Sequence, residues 1–129
     1  MIYLDTSVAL AHLLAEDRHP PVGLWEETIV SSRLLEYEAW SRVQARGLGG
    51  THGDALRQLL GRVAILEMIT EVLARAREPF PEPIRTLDAL HLASADFLRK
   101  QGQDVVMASY DERMIRAARA LKLGIYPLE

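Results

Sequence analysis

Short apolar runs alternating with helical stretches along the whole chain predict an α/β fold. The expected core is a mainly parallel sheet of four or five strands, covered by helices on both faces. Glycine and proline punctuate several of the joins, and no internal repeat or low-complexity tract interrupts the alternation. At 129 residues the chain can bury a core without covalent staples, and a single domain over 1–129 is expected.

The elements follow in order. "MIYL" (1–4) is a short strand ending at Asp5, and "TSVALAHLLAE" continues as a helix with Thr6 or Ser7 as its cap. "HPPVG" (19–23) is a break, "TIVSS" (28–32) a second strand, and "LLEYEAWSRVQARG" (34–47) a helix stopped by glycine. "LGGTHG" reads as a loop, with Thr51 and Asp54 in a capping-box pattern ahead of the helix "DALRQLLGR". "VAILEMI" (63–69) is a third strand and "TEVLARARE" a helix, after which the prolines of "PFPEP" (79–83) enforce a rigid loop. A helix from Thr86 to about Gln101, a strand "DVVMAS" (104–109), a helix "DERMIRAARALKL" and a short edge strand in "GIYPLE" complete the set.

Composition narrows the chemistry. With no cysteine there is no disulfide, zinc–thiolate site or cysteine nucleophile, in keeping with a reducing cytoplasm, the expected location. No signal peptide is expected, because the N-terminus has no basic n-region with an apolar h-region, and no membrane span, because no apolar run approaches the required length. A net charge of −3 and a pI near 5.8 do not mark a nucleic-acid binder, although 13 of the 15 basic residues are arginine, whose fork suits phosphate.

Four of the 18 acids stand out by position. Asp5 directly follows the first strand, and Asp111 follows the fourth. Asp88 opens a nearly apolar helix, and Glu38 lies in the helix after the second strand. Each has an ordinary explanation: Asp5 and Asp111 as helix caps, Asp88 as a complement to the helix dipole, Glu38 as a solvated charge. Jointly they suggest more, since ligands of parallel sheets bind beyond the carboxyl ends of the strands, where Asp5 and Asp111 both fall. Like-charged carboxylates ~4 Å apart repel by about 4 kcal/mol at an effective dielectric of ~20, so such a cluster requires protonation or a cation. An all-oxygen donor set selects a hard ion, Mg²⁺ or Mn²⁺, which can activate and orient a water toward a phosphodiester.

Thr6, Ser7 and Ser109 are the nearby hydroxyls, either supports for those carboxylates or ordinary caps. In "TLDALHLASADF" the polar residues Asp88, His91 and Ser94 form one narrow stripe, expected to open on the active edge, with Asp96 off the stripe at the surface. No second histidine stands at ligand spacing, so His91 is expected to be a hydrogen-bonded structural neighbour rather than a ligand. Tyr3, Trp25, Trp40 and Tyr126 are scattered and read as core or interface residues.

"MIYLDTSVAL", "SSRLLEYEAWSR", "TLDALHLASA" and "VVMASYDERMIRAA" together resemble, in order and spacing, the motifs of PIN-domain ribonucleases of the VapC toxin type. The likeness runs from the first residue to about Ala120. It implies a three-layer α/β/α sandwich and Mg²⁺- or Mn²⁺-dependent cleavage of RNA. It also implies a homodimer held by a VapB-type antitoxin whose tail covers the active site. The family's acids carry over onto Asp5, Glu38 (or its neighbour Glu36), Asp88 and Asp111 (or the adjacent Glu112), with Ser109 where a threonine is usual.

Three other readings compete. A haloacid-dehalogenase-type phosphatase needs a second acid where this chain has Ser7. A phospho-receiver domain needs a lysine that "GIYPLE" lacks. The third is a non-catalytic PIN-like module that binds RNA or protein, against which the presence of all four acids argues.

Overall fold

The computed structural model describes all 129 residues. Along the chain run β1 (Ile2–Leu4), α1 (Thr6–Leu13), a 3-10 turn (Val22–Glu26), β2 (Ile29–Ser32), α2 (Arg33–Ala45) and α3 (Gly49–Gly61). They are followed by β3 (Ala64–Leu66), α4 (Thr70–Ala76), α5 (Thr86–Lys100), β4 (Val106–Ala108), α6 (Glu112–Ala120) and β5 (Gly124–Ile125). The five strands form one sheet in the order β3-β2-β1-β4-β5, and every pairing is parallel. Central β1 sets Ile2 opposite Ile29 of β2 and Leu4 opposite Ala108 of β4.

The period-two alternation of the strands divides the core into two layers. Ile2 and Leu4 of β1, Ile29 of β2 and Ala108 of β4 pack with Val8 of α1, Leu35 of α2 and Leu59 of α3. On the opposite face Tyr3, Val30 and Met107 pack with Leu92 and Ala95 of α5 and Met114 and Ala117 of α6. The result is the expected α/β/α sandwich. Leu4 and Leu92 are wholly buried, and each such leucine contributes about 1.5–3 kcal/mol relative to exposure. No helix is long and apolar enough to cross a membrane.

Several boundaries differ from expectation, each for a local reason. The break after His19 tightens into the 3-10 turn at Val22–Glu26, whose Leu24 is fully buried. "LGGTHG" is not a loop: α3 already begins at Gly49, and Thr51 Oγ1 donates to the Leu48 carbonyl instead of capping. Asp54 pairs with Arg57, so the capping box is not formed. Gly53 lies against Trp40, where a Cβ would meet the indole at 3.4 Å, and this close approach seats α3 on α2. The third and fourth strands are short, ending at Leu66 and Ala108 rather than at 69 and 109. Trp25, Trp40 and Tyr126 are partly buried against the core, and Tyr3 is fully inside it.

Two side-chain expectations on α5 are corrected. The stripe of Asp88, His91 and Ser94 turns inward rather than opening along its length. His91 and Ser94 are buried, and only Asp88 reaches the open edge. Asp96 is not a surface residue: it is 1% exposed and ion-paired with Arg75, Arg99 and Lys100. Arg75 comes from α4, which packs along α5.

Candidate active site

Because every strand runs the same way, the chain leaves β1, β2 and β4 at one edge of the sheet, and the acids that follow those strands meet there. The resulting cleft of about 770 Å³ is lined by Asp5, Thr6, Ser7, Glu38, Asp88 and Asp111, and by the arginines 18, 42, 46 and 85. Asp5 is 5% exposed and forms the floor, whereas all four arginines are exposed.

Asp5 stands at the N-cap position of α1, yet its side chain makes no capping bond, and neither Thr6 nor Ser7 is the cap. Its Oδ2 instead accepts from Ser7 Oγ and Ser109 Oγ, each at 2.7 Å. Ser7 Oγ also accepts from the Tyr110 backbone N–H at 3.0 Å, and Ser109 Oγ from that of Asp111 at 2.9 Å. These two hydroxyls lock the end of β1 to the end of β4 and fix the Asp5 rotamer.

Ser32 at the end of β2 caps α2 through the Leu34 N–H, and the helix then brings Glu38 into the cleft. Glu36 points elsewhere and pairs with Arg33 at 2.9 Å. Glu38 Oε1 accepts from Thr6 Oγ1 at 2.7 Å and from His91 Nε2 at 2.6 Å. His91, buried behind the cleft, meets the Tyr3 hydroxyl through Nδ1 at 2.8 Å. Burial alone would depress the imidazole, but the Tyr3 oxygen, Glu38 and Asp5 together push its pKa up. Burial would likewise raise Glu38, but its bonds to His91 and Thr6 hold it below the usual carboxylate range.

Asp88 lies in the first turn of α5, and its Oδ2 accepts from Arg85 Nε at 3.3 Å. The same guanidinium reaches Asp111 Oδ2 through Nη2 at 3.3 Å. Asp111 also caps α6, its Oδ1 accepting from the Arg113 N–H at 2.9 Å. Glu112 does not line this cleft. Burial, then the charges of Asp5 and Asp111, push the Asp88 carboxyl above its ordinary value despite Arg85. The acids are close enough to repel and are incompletely neutralised.

Asp5 Oδ1, Glu38 Oε2 and Asp88 Oδ1 take no hydrogen bond from the protein, and solvent reaches them, since the single buried side-chain polar atom without a partner is the Tyr110 hydroxyl. No three of the acids converge as a preformed metal cage. Magnesium does not require one: it keeps several waters and takes one or two carboxylates together with substrate phosphate. Oxygen donors in a charge-strained cleft fit such an ion.

Arg85 and the pair Arg42 and Arg46 were not legible as site residues at the outset. Their signal is spacing: Arg85 stands three before Asp88, and Arg42 and Arg46 stand four and eight after Glu38. Arg18 reaches the cleft from the segment after α1, its Nη1 donating to the Tyr110 carbonyl at 3.2 Å and its guanidinium lying over the Tyr110 ring.

The PIN domain family model matches residues 2–120. Among curated proteins, Ribonuclease VapC35 of Mycobacterium tuberculosis is 30% identical over 97% of this chain and 95% of its own length. Ribonuclease VapC46 of the same organism is 31% identical over 96% of this chain and 95% of its own, and Ribonuclease VapC47 29% identical over 92% and 90%.

Proposed function

The chain belongs to the PIN-domain family, of the VapC type, and on that premise we propose that it is a metal-dependent endoribonuclease, the toxin of a toxin–antitoxin pair. The observation that carries this reading is the cleft in which Asp5, Glu38, Asp88 and Asp111, from separate parts of the chain, share one space. Three of them offer an oxygen not committed to the protein. The names of the relatives, all ribonucleases, supply the substrate.

Asp5 and Asp88, each with a carboxylate oxygen free of protein hydrogen bonds, would hold a divalent cation, Mg²⁺ or Mn²⁺, beside Glu38 and Asp111 in the same cleft. When bound, such an ion would supply charge neutralisation at the phosphate and lower the pKa of a water. Ser7 and Ser109 keep Asp5 oriented, and Thr6 with His91 keeps Glu38 oriented. Glu38, held ionised, accepts hydrogen bonds from water beside the scissile phosphate. No side chain acts as a nucleophile. Arg85 exchanges its hold on Asp88 and Asp111 for the phosphate oxygens, where positive charge stabilises the transition state. A VapB-type antitoxin and a homodimeric state complete the reading, checked by co-purification with the product of a neighbouring small gene and by light scattering.

Asp5→Asn and Asp88→Asn each replace one charged oxygen by an isosteric amide. Both variants should keep the fold by circular dichroism and lose Mg²⁺-dependent RNA cleavage by at least ~100-fold, the scale of removing one preorganised electrostatic group. Cleavage that persists in both, or survives full chelation, overturns the mechanism.

A further inference from the structure

On α2, Glu38, Arg42 and Arg46 fall at i, i+4 and i+8, and all three line the cleft. Successive members are about 6 Å apart along the axis, so the row leads from the acids outward along one ridge inclined to the helix. Arg33, Arg57, Arg75, Arg85 and Arg99 are each held by a carboxylate. Arg42 and Arg46 are exposed and form no ion pair, leaving both guanidinium forks available to a ligand. Beside an acidic floor, in a chain of net charge −3, a polyanion needs such local contacts to approach at all. The planar fork matches a phosphate in two hydrogen bonds.

We propose that Arg42 and Arg46 form a phosphate ladder for a single RNA strand lying along α2, gripping two phosphates on one side of the bond that is cut. This rests on the nuclease reading of the cleft and adds the course and form of the substrate. The strand is unpaired because the reacting phosphate must descend to Asp5, which is only 5% exposed. Duplex RNA keeps its backbone on the outside of a stiff A-form helix, whereas an unpaired strand can bend one phosphate inward while its neighbours stay on the arginines.

The test is fluorescence anisotropy of a labelled single-stranded oligoribonucleotide in chelator, titrated with salt, with gels confirming that the RNA is intact. Each phosphate contact contributes about 0.7 to the slope of log K against log salt for single strands. Arg42→Ala and Arg46→Ala should each flatten the slope by about 0.7 and the double variant by about 1.4, while Arg42→Lys restores most of it. Arg119→Ala, at an exposed position of α6 outside the cleft, should leave it unchanged. Duplex RNA of the same sequence should compete poorly. Unchanged slopes for Arg42 and Arg46, an equal drop for Arg119, no binding by the wild type, or equal competition by duplex would each overturn the ladder. Wild-type cleavage in Mg²⁺ is scored separately. Altered slopes without cleavage would leave the ladder standing and remove the nuclease reading.

Discussion

His91 joins three parts of the site at once, and its removal would strip a partner from Tyr3, from Thr6 and from Glu38. His91→Ala should lower stability to urea by about 2–4 kcal/mol, through the cavity it leaves and the broken pair with Glu38. RNA binding in chelator should stay unchanged, while Mg²⁺-dependent cleavage falls. His91→Gln, which can still donate to Glu38, should recover part of both losses. If activity stays intact in the alanine variant, Glu38 does not depend on this imidazole. At this scale the sequence was partly legible. Asp5 and Asp111 followed from strand ends alone. Glu36 and Glu38 were not separable, because Leu34, Leu35, Tyr37, Ala39 and Trp40 surround α2 with apolar side chains and leave no clear polar phase. Of the two, Glu38 lines the cleft, while Glu36 is paired with Arg33.

Helix α5 carries two acids, eight residues apart, that titrate in opposite directions. Asp96 is held low: burial would raise it, but Arg99, Arg75 and Lys100 outweigh that. Its stabilising contribution is present above the unfolded carboxylate value of 3.8 and is lost as pH falls through the lower folded value. Asp88 is held high, so above its folded value it costs stability, and acidification through that value toward 3.8 recovers the cost. Two outcomes are expected in urea melts across pH. Asp96→Ala should cost about 2–4 kcal/mol at neutral pH and converge with the wild type in strong acid. Asp88→Asn should be at least as stable as the wild type at neutral pH, losing that advantage as pH drops. A destabilised Asp88→Asn at neutral pH would contradict the strain assigned to the cleft. Asp96 escaped the sequence reading because its main partner from another element, Arg75, lies on α4, and only helix packing brings the two together. The start of α3 escaped it for another reason: Gly49 and Gly50 are poor helix formers, overridden by the packing of Gly53 on Trp40.

For the molecule as a whole, order, direction and layering were readable, because a parallel sheet buried on both faces leaves a distinctive apolar alternation. The basic side of the cleft was not, because long arginine side chains are placed by tertiary structure and not by local pattern. A cation that binds only the folded chain must stabilise it, by about 1.4 kcal/mol at ten times its Kd. For a chain of this size that is a rise in Tm of roughly 4–6 °C. Mg²⁺ should therefore raise the Tm of the wild type and leave that of Asp5→Asn or Asp88→Asn nearly unmoved; equal shifts in all three would place the ion elsewhere. The pairing of β1 with β4 has a further consequence, one of timing. Ile2 finds its neighbour Val106 only after every element from α1 to α5 has been made, and Ser109 and Asp111 follow later still. Closure over such sequence separation is slow and non-local. A nascent chain on the ribosome thus carries Asp5 without the serine that orients it, and the cleft is completed only once Ser109 and Asp111 have emerged. Synthesis itself delays the moment at which the protein can act on the RNA around it.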